Sequence, residues 1–292
     1  MSQITPAVNQ AVIDLYDEYT HAPLPRRDFI TRLAMLLGSS AAAYALLPVL
    51  ENNYAQAAMV DEKDARISAV HIEFQGPNGL LKAYLAKPIG YKKSLGSVLV
   101  IHENRGLNAH IQDVTRRVAV AGYNALALDF LSPLGGTPSN EDEARALFAN
   151  LDAVQSVANG RAALAHLKAL PNSNGKLGCV GFCWGGAMAN QLAVYAPELS
   201  AAVSFYGMAP NVLLAKQIKA QVLLHYAGVD ERINATKDAY EKALSANHIA
   251  FQSYSYEGAQ HAFHNDSNAA RYNKQAAELA WKRSLALFKK AL

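Results

Sequence analysis

From residue 58 onward the chain alternates short apolar runs with longer stretches of helical period. Residues 70–74 and 80–86 flank Pro77-Asn78-Gly79, the pattern of a β-hairpin. Runs at 98–101, 125–128, 176–180, 201–205, 222–225 and 251–256 are too short for helices and read as strands of a sheet. Between them, helical spacing predicts helices over 111–121, ending at Gly122, and over 141–170, 187–195 and 235–246, with a closing helix over 269–289. Strand and helix in alternation predict an α/β chain with a mostly parallel central sheet and helices on both faces. In such sheets ligands sit beyond the carboxyl ends of the strands. Polar clusters stand at those ends: His102-Glu103-Asn104-Arg105-Gly106, Asp129, Tyr206-Gly207 and Tyr226 to Asp230.

One strand-to-helix junction stands out. Gly181-Phe182-Cys183-Trp184-Gly185-Gly186 places a thiol at a tight glycine turn, the geometry of a nucleophile elbow with cysteine where serine is usual. A small cysteine between glycines can equally be packing, so the later strand ends matter. They supply Asp230 and then His261, in the order nucleophile, acid, histidine. A thiolate can attack an acyl carbon, an imidazole can move its proton, and a carboxylate can orient the imidazole. Taken singly, Asp230 is also a natural helix N-cap and His261 an ordinary loop residue.

Composition narrows the classes. Hydrophobic residues are 51% and charged residues 17% of 292, enough for a large core. The net charge of +3 comes from scattered residues, so no nucleic-acid footprint is expected. Two cysteines, Cys179 and Cys183, cannot make a disulfide framework and read as free thiols. His102, His110, His225, His261 and His264 lack metal-ligand spacing, so neither metal nor cofactor is expected. His110, His225 and Tyr206 are candidates to line a pocket.

The first 57 residues differ. A possible helix over 8–19 precedes Pro25-Arg26-Arg27-Asp28-Phe29, a mildly apolar run over 33–50, and Ala55-Gln56-Ala57. Paired arginines, an apolar region and an A-x-A site read as a twin-arginine export leader. The expected organisation is a leader over 1–57 and a catalytic domain over 58–292. The expected location is periplasmic or secreted after contact with the twin-arginine machinery, with no stable membrane association after cleavage. A cytosolic amphipathic helix or an uncleaved anchor is the alternative. No stretch after residue 58 is long and apolar enough to span a membrane.

With these residues in view, the chain from about residue 65 to its end resembles the dienelactone hydrolases (carboxymethylenebutenolidases) of the α/β-hydrolase fold. The resemblance rests on the 181–186 elbow, Val229-Asp230, Gly258-Ala259-Gln260-His261-Ala262-Phe263 and His102-Glu103. It implies Cys183 as nucleophile, His261 as base, Asp230 as its partner, and Glu103 as a carboxylate on the resting thiol that swings away when substrate enters. A salt bridge to Arg105 is the other reading of Glu103. The backbone N–H groups of Trp184 and Asn104 would form the oxyanion hole. Two arginines that such enzymes place after the strand ending in Asp129 and after the histidine are missing; Phe130-Leu131-Ser132-Pro133 and His264 stand there, and Arg105 is the candidate replacement. The expected reaction is cleavage of a small ester or lactone through a thioester acyl-enzyme. A broad carboxylesterase and a non-catalytic binding protein on the same fold are the alternatives.

Overall fold

The computed structural model describes residues 8–22, 24–54, 58–91 and 93–292. Its centre is an eight-stranded sheet: β1 (Ile67–Gly76), β2 (Gly79–Pro88), β3 (Leu95–Ile101), β4 (Asn124–Leu128), β5 (Ser173–Phe182), β6 (Leu199–Phe205), β7 (Gln221–Val229) and β8 (Phe251–Gln260). Their order is β1-β2-β4-β3-β5-β6-β7-β8. The β1–β2 hairpin and the β2–β4 pair are antiparallel, and from β4 to β8 every pair is parallel. Period-two alternation sorts the strand side chains between two cores. Leu99, Ile101, Cys179 and Leu224 face one side, and Val98, Val100, Val180 and Leu223 face the other.

The helices, in chain order, are α1 (Gln10–His21), α2 (Arg26–Leu37), α3 (Ser40–Leu50), α4 (Ala109–Val120), α5 (Glu141–Phe148), α6 (Ala153–Lys168), α7 (Trp184–Tyr195), α8 (Glu231–Asn234), α9 (Lys237–Ala246) and α10 (Lys274–Ala291). Helices α6, α7 and α9 cover the first face, and α4 and α10 the second. The long helix expected over 141–170 is two. The Asp152 carboxylate caps a new start by accepting from the Gln155 N–H at 2.7 Å, and the chain turns through Asn150 and Leu151. The closing helix likewise begins late, where Asn273 caps the Ala276 N–H.

The first helices form a unit with its own core. Val12, Leu15, Tyr16 and Tyr19 make one buried stripe on α1, and it packs on Phe29 and Leu33 of α2 and Leu46, Leu47 and Leu50 of α3. Gly38, at φ +79°, ends α2 in the left-handed conformation that glycine tolerates best. The turn bends α2 against α3 by 112°. No single described helix is long and apolar enough to cross a membrane; α2 and α3 together pass that test by length and composition only. This unit lies against the carboxyl end of the sheet. Asn268 donates to the Leu50 carbonyl at 2.5 Å, the Asn53 N–H to the Ser267 carbonyl at 2.7 Å, and the Tyr19 hydroxyl to Asp142 at 2.5 Å. The segment read as a leader is thus packed on the catalytic domain in this structure. Its expected cleavage pattern, Ala55-Gln56-Ala57, lies outside the described residues.

Candidate active site

Cys183 sits between β5 and α7 with φ 55° and ψ −114°, a backbone state that non-glycine residues rarely hold. Its amide donates to the Phe205 carbonyl at 3.0 Å, which ties the turn to β6. The flanking glycines are there for space. A Cβ on Gly181 would collide with the Gly185 carbonyl, and one on Gly185 with the carbonyls of Ile101 and His102. Cys183 is only 8% exposed.

The ends of β7 and β8 deliver the other two expected residues. Asp230 follows Val229, and His261 follows Gln260. His261 Nδ1 donates to Asp230 Oδ2 at 2.6 Å. Asp230 Oδ1 accepts the Ile233 N–H at 3.2 Å, so one carboxylate both caps α8 and orients the imidazole. With Nδ1 committed, His261 Nε2 is buried without a hydrogen-bond partner.

The sequence reading missed one residue. His21, the last residue of α1, places Nε2 3.2 Å from the Sγ of Cys183. Its ring meets that of His261 edge-on, with centroids 4.6 Å apart. Nδ1 faces the Asp17 carbonyl at 2.9 Å, the Asp17 carboxylate at 3.2 Å and Thr20 Oγ1 at 3.0 Å. The signal was available: Asp17 and His21 are four apart on a helix whose apolar stripe demands a partner surface.

The electrostatics follow from this crowding. Burial pushes the Cys183 thiol up, but the imidazoles of His261 and His21 outweigh it and hold the group below its ordinary value. Burial pushes His261 down, while the thiolate and Asp230 raise it, with a net rise. His21 shows the same balance, with Cys183 and Asp17 as the raising partners. Cys179, in the apolar core with no such neighbour, is pushed up to about 12 by burial.

Glu103 was expected on the thiol. Its carboxylate instead accepts from the Tyr206 hydroxyl at 3.3 Å and Asn265 Nδ2 at 2.9 Å, and the imidazole of His21 takes the position beside the sulfur. Arg105 is buried and ion-paired with Glu141 at 3.4 Å and Asp142 at 3.7 Å. The acidic first turn of α5 therefore claims the guanidinium that was a candidate for a substrate carboxylate. Trp184 opens α7, where N–H groups have no intrahelical partner. The Asn104 side chain donates to the Thr20 carbonyl at 2.7 Å, a second tie between the first helix and the site.

Three other histidines are held by contacts of their own. His102 bridges the Glu103 carbonyl and the Phe130 N–H. His225, pushed down to about 3 by burial, lies between Ser284 and Tyr256. His110 pairs with Asp266 at 2.9 Å. Neither His110 nor His225 lines the cavity over Cys183, and Tyr206 is wholly buried beneath it. That cavity measures about 830 Å³. Thr20, His21, Leu24 and Pro25 wall it on one side, and Phe148, Trp184, Met208 and Ile233 on the other, with Arg145 and Arg232 as its charged members. Among the described residues, one group of His, Cys, Asp and Glu donors gathers at metal-like spacing: His21, Cys183 and His261, within 4.8 Å of one another. Each imidazole turns its other nitrogen to a carboxylate, Asp17 for His21 and Asp230 for His261.

An α/β-hydrolase fold with a cysteine at the elbow after β5 is what these elements define. Residues 81–292 match the model of the dienelactone hydrolase family, and the chain belongs to that family and is a hydrolase. A "Putative carboxymethylenebutenolidase" of Escherichia coli O157:H7 is 32% identical over 233 residues, 75% of this chain and 84% of that protein. A "Putative hydrolase fragment YghX" of Escherichia coli K12 is 47% identical over 112 residues, 38% of this chain and 96% of that one. The crystal structure of a "Putative Dienelactone Hydrolase" from Klebsiella pneumoniae superposes with a TM-score of 0.71 at 28% identity, covering 77% of this chain and 99% of that one. Residues 5–39 match a second family model, described as YqhI-like. That match spans Asp17, His21 and the Arg26-Arg27 pair.

Proposed function

We propose that the protein hydrolyses a small ester or lactone through Cys183, His261 and Asp230 by way of a thioester acyl-enzyme. The observation that carries this is the pairing of a strained elbow thiol with a histidine fixed by a buried 2.6 Å bond to Asp230. Thiolate attack on the carbonyl carbon places negative charge on oxygen, and the N–H groups of Trp184 and Asn104 are the donors for it. Expulsion of the alcohol leaves the thioester, which water then cleaves. The cavity wall is mainly apolar, which suits an ester with an apolar or aromatic body and favours a broad carboxylesterase over a strict lactonase. Turnover of p-nitrophenyl acetate and of a cis-dienelactone, with Cys183→Ala and Cys183→Ser beside the wild type, tests the reading. Cys183→Ala should lose turnover of both. Activity surviving that change refutes the nucleophile assignment, and a wild type inert to every activated ester supports a binding protein instead.

Export by the twin-arginine route is a separate proposal, supported by Arg26-Arg27, the apolar run and the A-x-A pattern. The packing of α1 to α3 on the site supports retention of this segment in the working enzyme, exported or not. Arg26→Lys with Arg27→Lys should hold the product in the cytoplasm, and the intact mass of the periplasmic protein reports whether residue 58 is its first. Unchanged periplasmic recovery of the double variant refutes export by this route.

A further inference from the structure

We propose that His21 is a second catalytic base, brought to Cys183 by the N-terminal helix, and that the two imidazoles divide the two half-reactions. The inference rests on the ester-hydrolase reading above and extends it.

The neighbours of His21 fix where its ring hydrogen must sit. Thr20 Oγ1 donates to the Asp17 carbonyl at 3.0 Å, so towards His21 it can only accept. The Asp17 carbonyl and carboxylate are acceptors as well. His21 Nδ1 therefore carries a hydrogen, and in the neutral ring Nε2 offers a lone pair. That lone pair faces Sγ at 3.2 Å. His261 is built the same way, with Nδ1 donating to Asp230 and Nε2 left as an acceptor. Two acceptors thus face one thiol proton. The 3.2 Å contact goes to His21, while His261 stands within 4.8 Å of the sulfur with its Nε2 free to take up another proton. The site is a chain: Asp17, His21, Cys183, His261, Asp230.

In acylation, the proton shared between Sγ and His21 Nε2 settles on Nε2, and the sulfur attacks as the thiolate. Sγ bonds to the carbonyl carbon, and the carbonyl electron pair moves onto oxygen. The tetrahedral adduct collapses, the bond to the leaving oxygen breaks, and that oxygen takes the proton from His21. In deacylation, His261 Nε2 takes a proton from water as the water oxygen bonds to the acyl carbon. Collapse breaks the Sγ–carbon bond, and the departing thiolate takes the proton from His261. Ester and water become acid and alcohol, and both imidazoles return to their starting state.

The test is pre-steady-state turnover of p-nitrophenyl acetate by the full-length chain carrying His21→Ala or His21→Gln, across pH 5 to 9. Glutamine keeps a donor and much of the packing but cannot accept a proton, which separates proton transfer from structure. The charged groups facing His21 are Asp17, Cys183 and His261, with Arg271 3.7 Å from Asp17. Both variants should lose about 100-fold in the acylation rate, the scale of one general base. Hydrolysis of a preformed acyl-enzyme should stay within threefold of wild type, and the pH limb of acylation should move upward. Wild-type acylation in His21→Gln, or equal slowing of both half-reactions, overturns the proposal. Turnover by Cys183→Ala would instead overturn the nucleophile assignment beneath it, so the two failures are distinguishable.

Discussion

Phe29→Ala is the substitution that most directly weighs the N-terminal unit. Phe29 is fully buried, stacks on Tyr19 with centroids 4.3 Å apart, and meets Tyr16 at 5.9 Å. Tyr19 belongs to the helix that carries His21, so this ring braces the arm that reaches the thiol. Truncating a buried phenylalanine costs about 3–5 kcal/mol through lost transfer energy and the cavity left behind. The contacts removed lie in a core separate from the two faces of the sheet, so the cost should fall on local opening of α1 to α3. Each 1.4 kcal/mol is tenfold, and the open population should rise by roughly two to four powers of ten. Native-state hydrogen exchange reads this element by element, and trypsin reads it at Arg26, Arg27 and Arg32. Amides of α1 to α3 should lose protection by at least a hundredfold while those of β5 and α7 change little. Urea too dilute to unfold the sheet should abolish esterase activity in the variant. A uniform loss across cap and sheet would mean one cooperative unit, and a change below tenfold in the cap would refute the claimed role of Phe29.

Two further outcomes follow from the elbow. The thiol of Cys183 is lowered, so thiolate stabilisation is fully present above the ordinary thiol range and is lost as pH falls through the lowered value. His261 is raised, so its stabilisation is full below the ordinary imidazole range and is lost as pH rises through the raised value. Between those values the sulfur is a thiolate with its proton held by the neighbouring imidazoles, and iodoacetamide should alkylate Cys183 below the ordinary thiol range, whereas the thiol of Cys179 stays inert. A Cys183 alkylation midpoint at or above the free-thiol value would contradict this balance. Gly185→Ala would set a Cβ against the carbonyls of Ile101 and His102, backbone atoms of a central strand and its exit. Overpacking costs about 1–3 kcal/mol and more where backbone must move, so the melting temperature should fall by several degrees and activity should vanish. Wild-type melting with full activity would show that the elbow has slack.

Much of the sheet was legible because a parallel strand buried on both faces leaves a short apolar run, as Val98 to Ile101 does, and a polar residue where it emerges. The positions of Asp230 and His261 were legible for the same reason: they sit at consecutive strand ends, and the structure brings them together at 2.6 Å. What periodicity could not resolve was the break between α5 and α6. Both halves keep helical spacing, and the interruption depends on whether Asp152 turns back to cap Gln155. The environment of Glu103 was equally out of reach. Tyr206 and Asn265 lie more than a hundred residues away in sequence, and their hydrogen bonds decide which way the carboxylate turns.

The first fifty residues show how one segment can satisfy two patterns. An export leader requires paired arginines, an apolar run and a cleavage site, and it asks nothing of the residues before the arginines. Here those residues carry a stripe of Val12, Leu15, Tyr16 and Tyr19, and a stripe with that spacing specifies a packed face. Arg26 is ion-paired with Glu51 and Asp142, and exposed pairs of that kind contribute little to stability, so the pairing by itself neither requires nor forbids a second use of the arginine. The buried contacts carry more weight. They bring His21 within 3.2 Å of the sulfur and Thr20 onto Asn104, and they close one wall of the cavity. Removing the segment would open that wall, expose the stripe's partners and leave Cys183 with one imidazole. The N-terminal helices therefore form part of the wall around Cys183, and on the proposal made for His21 any processing near residue 58 would change catalysis as much as location.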